Sequence, residues 1–386
     1  MNANKTLKEI NTSGKPYVIY KTSKGFDLFT NFSKKIILNK KNIHQFLTKK
    51  IVKKKIKSTD LFIGFFGYEL LNNLIGIKIP KQKSINFPKG IFYKPEKKIS
   101  LTKNLSYIKD KHIRIKKNFT ININKKSYTK IFNMFKKKIK RGETYQIKIC
   151  TKYKARSKID PLDFFCRLSK TNLAPEAFMI KDKDYSIVSC SPENLISKKG
   201  SFVTTKPIAG TVKKSINMNK DKALKYFKRN LKETKEHNMI VDMERNDLSR
   251  ICKVGSVKLS KEKIVEEYKD LFHYVSLIKG KLKKNIRNIE IIKAMMPGGS
   301  VIGCPKISTL NLLNKQEKEN RNIYTGSFGY IKFNGDMRFN IIIRSILNYK
   351  DVSEISVASG VVVDSNVQHE FNENYIKAKA LIELYK

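Results

Sequence analysis

No apolar run in this chain is longer than a strand. The longest, such as Leu61–Tyr68, falls far short of the roughly 20 residues that a membrane-spanning helix needs. Tyr17–Tyr20, Ile36–Leu38, Leu61–Tyr68, Tyr145–Cys150, Phe178–Ile180, Ser186–Cys190 and Tyr330–Phe333 read as short strands. Asn334-Gly335, between the last of them and Arg338–Arg344, predicts a type I′ hairpin. Long helical patterns are few. Tyr128, Ile131, Phe132, Phe135 and Ile139 fall at helical spacing with lysines opposite and Gly142 as a stop. Residues 219–246 carry a second pattern, from Leu224 and Phe227 to Val241, and Val367–Tyr385 reads as an amphipathic helix. Strands and helices alternate without a βαβ beat, which predicts an α+β protein with antiparallel sheets rather than a doubly wound one. Pro80, Pro88, Pro95 and many lysines make Lys78–Lys117 the nearest thing to a seam, dividing residues 1–117 from 125–386. It need not be a boundary, and one domain over 1–386 is expected.

The charge is extreme: 81 Lys+Arg against 33 Asp+Glu, a formal +48. A nucleic-acid binder would concentrate such charge in a stripe or tail. Here lysines recur from Lys5 to Lys386 among abundant Ile, Asn, Phe and Tyr, with no Trp, as in a chain drifting toward A+T-rich codons. Solvated surface is therefore the preferred reading and nucleic-acid binding the distant alternative. Met1–Lys8 lacks the apolar core of a secretory signal. The five cysteines (Cys150, Cys166, Cys190, Cys252, Cys304) are scattered and never spaced CxxC, which fits reduced thiols in a cytoplasm.

His44, His112, His237, His273 and His369 form no HxH or HxxxH pair, and there is no GxSxG elbow and no P-loop. What stands out is acid in a basic chain. Glu233 and Glu236, and likewise Glu370 and Glu373, lie three apart in helical segments, so each pair shares a helix face. Two such faces together would suit Mg²⁺, a hard cation that prefers carboxylates; solvated glutamates beside lysines are the bland reading. Pro297–Lys306 is dense in glycine and could hold an anion on free backbone N–H groups, or be a wide turn. Lys206–Thr211 and the Ala358-Ser359-Gly360 break before Val361–Val363 are further tight backbone sites.

Taken in order, these pieces resemble the chorismate-utilising enzymes: anthranilate synthase component I, aminodeoxychorismate synthase component I, and the isochorismate and salicylate synthases. The matching segments are Gly142–Gln146, Ser191-Pro192-Glu193, Pro207–Thr211, Glu233–His237, Met239–Leu248, Pro297–Lys306, Tyr324–Tyr330, Ile343-Arg344 and Glu370–Lys377. They cover residues 125–386 densely, and Gly67-Tyr68-Glu69 looks like an N-terminal landmark of the same family. The resemblance implies a single large domain with two antiparallel β-sheets in a sandwich, helices outside and the active site in a cleft. By position, Glu236 and Glu373 would bind Mg²⁺ directly and Glu233 and Glu370 through water, so the four carboxylates are expected to converge on one ion. Arg344 and Tyr324, with backbone N–H groups near Gly360, would meet the enolpyruvyl carboxylate of chorismate, and Ser300 and Lys377 also fall at substrate-binding positions. Glu193 matches the family's general acid at the C4 hydroxyl. His273 matches its active-site histidine, a satisfied core histidine being the alternative, and Thr211 belongs to the same constellation.

Two positions narrow the choice within the family. Gln146 stands where the water-adding enzymes have a lysine base, which argues against isochorismate and salicylate synthases. Ala209 stands where many aminodeoxychorismate synthases have a covalent lysine, and alone it points to anthranilate synthase. The absence of the tryptophan-binding Leu-Glu-Ser element points the other way. So do the forms of Pro297–Ser300, Tyr324–Ser327, Asn172-Leu173-Ala174-Pro175 and Asp242–Asp247. Aminodeoxychorismate synthase component I, of the lysine-lacking kind, is the preferred resemblance. Ala358, Ser359, Ser308–Leu310 and Arg338–Asn340 depart from the family pattern. With no glutaminase signature in the chain, ammonia is expected from a separate glutamine amidotransferase subunit, and Lys213 and Lys214 are the sequence-adjacent candidates for a substitute nucleophile.

Overall fold

The structure, a computed structural model, describes all residues except 1–2, 49–54, 81–86, 103–104, 106, 108–118, 172–173, 269–270 and 386. Met1, His112, Lys386, Asn172, Leu173 and much of the Lys78–Lys117 stretch therefore lie outside the described residues.

The strands join in one antiparallel ladder. It begins at β12 (Lys258–Glu267) and β13 (Leu271–Lys281), whose other edge is shared by β10 (Phe202–Lys206) and β11 (Ile208–Lys213). From β10 it continues through β9 (Asn194–Lys199), β16 (Met337–Asn340), β15 (Ser327–Lys332), β3 (Leu61–Phe66) and β4 (Gly90–Leu101). Next come β2 (Phe26–Ile37), β1 (Tyr17–Lys21), β7 (Glu176–Lys181) and β8 (Tyr185–Ser191). β17 (Ser345–Tyr349), β18 (Val352–Val361) and β6 (Gln146–Arg156) complete it, with short β5 (Thr120–Ile121) and β14 (Gly303–Cys304) on the far edge of β6. The ladder curls so that β3, β4 and β15 face β1, β7 and β8 across one apolar layer, with Phe65, Ile91 and Phe328 against Val18, Phe178 and Ile187. Phe178 and Phe328 stack with centroids 3.7 Å apart; burying each such ring stabilises by about 2–3 kcal/mol. The expected sandwich is thus built from one continuous sheet whose halves form the two layers.

Helices cover the outside. Leu231–Ile251 and Asn288–Met295 bury Val241, Leu248 and Ile292 against one layer. Lys125–Lys140 and Lys306–Gln316 bury Phe132, Phe135 and Leu310 against β6 and β18. Pro161–Thr171 and Val367–Ile382 bury Phe165 and Leu381. Among the described residues no helix is long and apolar enough to cross a membrane, and all five cysteines are free, four of them buried.

Several local expectations change. The Leu61–Tyr68 run is β3 only to Phe66. Gly67 donates to Lys89 O and Tyr68 to Asn322 O, at 2.7 and 2.9 Å, and this pins a turn from which Tyr68 starts the helix Tyr68–Leu74. Ile36-Ile37 is the tail of the twelve-residue β2, with Leu38 just past its end, and the exposed Ser33, Lys34 and Lys35 before it hide the alternation. The 219–246 pattern is two helices, Lys220–Arg229 and Leu231–Ile251, because Asn230 ends one and caps the next through Glu233 N at 3.2 Å. The Asn334-Gly335 hairpin forms, but positive φ falls on Gly335 alone of the two (85°). It is a type I turn closed by a glycine bulge, not type I′. Ala358-Ser359-Gly360 is not a break: β18 runs through it, paired to β6 residue by residue.

Candidate active site

A cleft of about 550 Å³ opens where β6, β11 and β18 meet the helices Leu231–Ile251 and Val367–Ile382. A larger cavity of about 670 Å³ lies elsewhere, between Phe46, Phe62 and Arg287, but among the described residues its wall holds no Asp, Glu, His or Cys. The chemistry is in the smaller cleft. Its lining includes Glu193, Ala209, Thr211, Ser300, Tyr324, Arg344, Lys377, Glu233, Glu236 and Glu373. Gln146, His273, Gly360 and Glu370 stand one contact behind. Gln146 donates to Glu236 Oε1 at 3.0 Å, His273 Nδ1 is 2.8 Å from Thr211 Oγ1, and Glu370 shares a side-chain hydrogen bond with Glu373.

The cleft keeps two kinds of carboxyl. Glu193 follows β8, fully buried, with Ser300 Oγ donating to its Oε1 at 2.6 Å. Burial pushes its pKa up to about 7, against the pull of Ser300, Lys148 and Arg344. Glu236 is the opposite case. Lys148 Nζ, 3.2 Å from Oε1, holds it down at about 2, against burial and with help from Gln146. Burial and then Glu236 raise Glu233, and burial and then Glu373 raise Glu370. Burial pulls Glu373 up, but Lys377, Glu370 and Lys148 together bring it below the usual carboxylate value; Lys377 Nζ lies 2.7 Å from Oε1 and also donates to Ala358 O at 2.9 Å. Burial, with Arg344 next, pushes His273 down to about 4, so its imidazole is neutral near pH 7.

Glycines shape the walls. A Cβ on Gly210 (φ 87°) would lie 2.8 Å from Glu233 Oε2, and one on Gly360 would lie 2.8 Å from Lys148 Nζ and 3.1 Å from Gln146 Nε2. Gly360 thus makes room for two side chains, and its backbone belongs to the β6–β18 ladder, not the cleft lining expected of it. In Pro297–Lys306, Gly298, Gly299 and Gly303 are packed tightly against Ile341, Met243 and Gln146 O, so these glycines serve close packing while Ser300 and Val301 face the cleft. Arg344 in the cleft lining, and Asn322 and Thr325 on either side of the lining residue Tyr324, carry positive φ (51°, 55° and 58°), strain of about 1–3 kcal/mol each.

The four carboxylates converge only in part. Ligand oxygens of Glu370 and Glu373, with a His369 nitrogen, lie within 4.8 Å of one another, and Glu233 and Glu236 stand outside that group. Lys148 engages Glu236, outside the group, and Lys377 engages Glu373 within it. The donor set still suits a hard divalent cation, being carboxylate oxygen from two facing helices. Lys213 and Lys214 do not line the cleft; Lys214 pairs with Glu267 at 2.6 Å.

Two residues escaped sequence reading. Lys148 lies two positions after Gln146 in a strand, so both point to one face, and that spacing was the available signal. Arg321 is buried, paired with Glu317, stacked over Tyr68 (4.8 Å) and donating to Lys148 O at 3.1 Å, while its carbonyl accepts from Tyr324 N. Its own N–H donates to Glu69 Oε1 at 2.6 Å, which ties Gly67-Tyr68-Glu69 to the cleft. Only the tertiary fold brings these together.

The chain matches the chorismate binding enzyme family over residues 108–383. Aminodeoxychorismate synthase component 1 of Bacillus subtilis is 33% identical over 68% of this chain and 56% of its own length. An anthranilate synthase component 1 of Haloarcula marismortui is 33% identical over 68% and 54%. The chain spans about half the length of the curated relatives it matches. Among solved structures, anthranilate synthase component I from Streptococcus pneumoniae superposes with a TM-score of 0.76 at 26% identity, covering 95% of this chain and 92% of that one. With the curled antiparallel sheet, its outer helices and the acid-lined cleft in place, the chain belongs to the chorismate binding enzymes.

Proposed function

We propose that the protein is an aminodeoxychorismate synthase component I. It would aminate chorismate at C4 with ammonia from a separate glutamine amidotransferase subunit, in a Mg²⁺-dependent reaction. The observation that carries the reading is Glu193: a buried carboxyl, held by Ser300 and pushed up to about 7, facing the same cleft as the glutamates and Arg344. Such a group holds a proton near neutral pH and can give it up. Glu236 and Glu373 would hold Mg²⁺ directly, and Glu233 and Glu370 through water. Bound there, the ion supplies positive charge against the ring carboxylate of the substrate. Arg344 and Tyr324 orient the enolpyruvyl carboxylate, and neutral His273 positions Thr211. Ammonia forms the new bond at C4 as the C4–O bond breaks. Glu193 gives its proton to the departing oxygen, water leaves, and the Glu193 carboxylate accepts the proton that the new ammonium sheds.

Gln146, engaged with Glu236, cannot deprotonate water, and this supports ammonia over water as nucleophile. Ala209 in the cleft wall favours the second reading, anthranilate synthase. One assay separates the two. Chorismate, ammonium and Mg²⁺ should give 4-amino-4-deoxychorismate, convertible to 4-aminobenzoate by added lyase, with little pyruvate before the lyase. Stoichiometric anthranilate and pyruvate without lyase would select the other reaction. Absence of chorismate turnover beside tight, salt-sensitive RNA or DNA binding would overturn both.

A further inference from the structure

Glu236 and Glu373, the two carboxylates assigned above to direct metal contact, each already hold an ammonium group. Lys377 reaches Glu373 from the next turn of the same helix, an ordinary i,i+4 pair with both side chains more than a third exposed. Lys148 is different. It comes from another element, β6, on a side chain only 14% exposed, and reaches Glu236 across the cleft floor. Its path exists because Gly360, its register partner on β18, has no Cβ to meet Nζ. Glu373 and Glu193 also act on Lys148 from the helix and from the turn after β8, and Lys377 is the like-charged neighbour.

This arrangement explains why the carboxylates do not gather on one point: Glu236 Oε1 is already engaged twice, by Gln146 and by Lys148. An ammonium about 3 Å from an oxygen and a divalent ion about 2 Å from it would lie within a few ångströms of each other and repel strongly. Both cannot sit on the same carboxylate at full strength. We infer that Lys148 is a resident counter-ion of Glu236, displaced when Mg²⁺ binds and then free to meet a carboxylate of the incoming dianion. The inference rests on the metal reading of the glutamates given above. Its consequence is reciprocal coupling: Lys148 opposes metal in the empty cleft, and metal releases Lys148 to the substrate, so each ligand tightens the other.

Titration calorimetry on the full chain tests this with Mg²⁺ alone, then with chorismate at saturating Mg²⁺. Lys148→Met should bind Mg²⁺ about tenfold more tightly and chorismate about tenfold more weakly, the scale of one partly buried ion pair. Lys148→Arg keeps the charge and should bind Mg²⁺ like the parent. A gain in metal affinity cannot come from damage to the cleft, which would weaken binding. If a thermal melt shows Lys148→Met unfolded, Lys148→Gln carries the same expectation. Mg²⁺ affinity unchanged or weakened in a folded Lys148→Met or Lys148→Gln overturns the inference. A parent protein that takes up no Mg²⁺ at all overturns instead the metal reading on which it rests.

Discussion

Glu193 and Glu236 have the same side chain and face the same cleft, yet their environments drive them in opposite directions. Glu193 lies in the closed floor, where its hydrogen-bonded neighbour is a hydroxyl, and burial keeps its proton on until about pH 7. Glu236 lies on the helical wall with an ammonium at 3.2 Å and an amide at 3.0 Å, and it stays ionised down to about pH 2. Burial sets the first; a fixed cation overrules burial in the second. One cleft thus offers a proton-holding half and a charge-holding half, the separation that the proposed acid-assisted amination would use.

The largest expected effect breaks the two halves apart. Glu236→Gln or Glu373→Gln should cut turnover by about a thousandfold or more and abolish Mg²⁺ binding in calorimetry. Glu193→Gln should lose about 10²–10⁴-fold in turnover while Mg²⁺ binding stays at the parental level. A Glu193→Gln protein that also loses Mg²⁺, or an active Glu373→Gln enzyme with unchanged Mg²⁺ dependence, would erase the distinction.

The two halves were unequally legible in the sequence. Glu193, Ser300, Arg344 and the four glutamates were visible as motif residues, and the cleft does hold them or their immediate contacts. The helix Lys125–Lys140 was visible because apolar spacing, an opposite lysine face and Gly142 all agree; the structure adds an Asn124 cap that accepts from Ser127 N at 2.9 Å. Lys148 was hidden because one lysine among so many reads as solvated surface; what marks it is the missing Cβ of Gly360 on a strand about 200 residues away. Of β2 only the end, Ile36-Ile37, was visible; the exposed Asn31, Ser33, Lys34 and Lys35 before it break the alternation that would join it to Phe26–Thr30. Asn230 reads as one more polar residue on a helix until its cap onto Glu233 N is seen.

Stability should resolve the halves with opposite sign, at a smaller scale. Glu193 has a folded-state value above the ordinary 4.5, so it favours folding only while protonated. That contribution is whole below pH 4.5 and lost as pH rises through about 7, an upper bound of about 3 kcal/mol. Glu193→Gln should therefore match the parent near pH 4 and be the more stable protein at pH 8. Glu236 has a folded value below 4.5, so its contribution is present above pH 4.5 and fades as pH falls toward 2. Its side chain is 30% exposed and solvent screens the pair, leaving about 1 kcal/mol. Glu236→Gln should be less stable than the parent at pH 7, with the gap closing at acid pH. Urea melts in EDTA at pH 4, 7 and 8 check both, and like-signed shifts at pH 8 would refute the contrast.

The smallest expected effect concerns Glu370, which belongs to the charge-holding half by position but resembles Glu193 in its surroundings. It is 2% exposed, accepts from Ser365 Oγ, and is raised by burial and then by Glu373. If it acts on the metal only by orienting Glu373 and an intervening water, a glutamine can keep the Ser365 contact and most of the shape. Outer partners of this kind change metal affinity by about 10–100-fold without removing the site. Glu370→Gln should sit at the mild end, about tenfold weaker for Mg²⁺, with no loss of melting temperature in EDTA because no buried charge is left unpaired. Raising Mg²⁺ should restore most of its turnover, which it cannot do for Glu373→Gln. A Glu370→Gln protein as dead as Glu373→Gln at every Mg²⁺ concentration would place Glu370 in direct contact with the ion and move the border between the two halves one helical turn deeper.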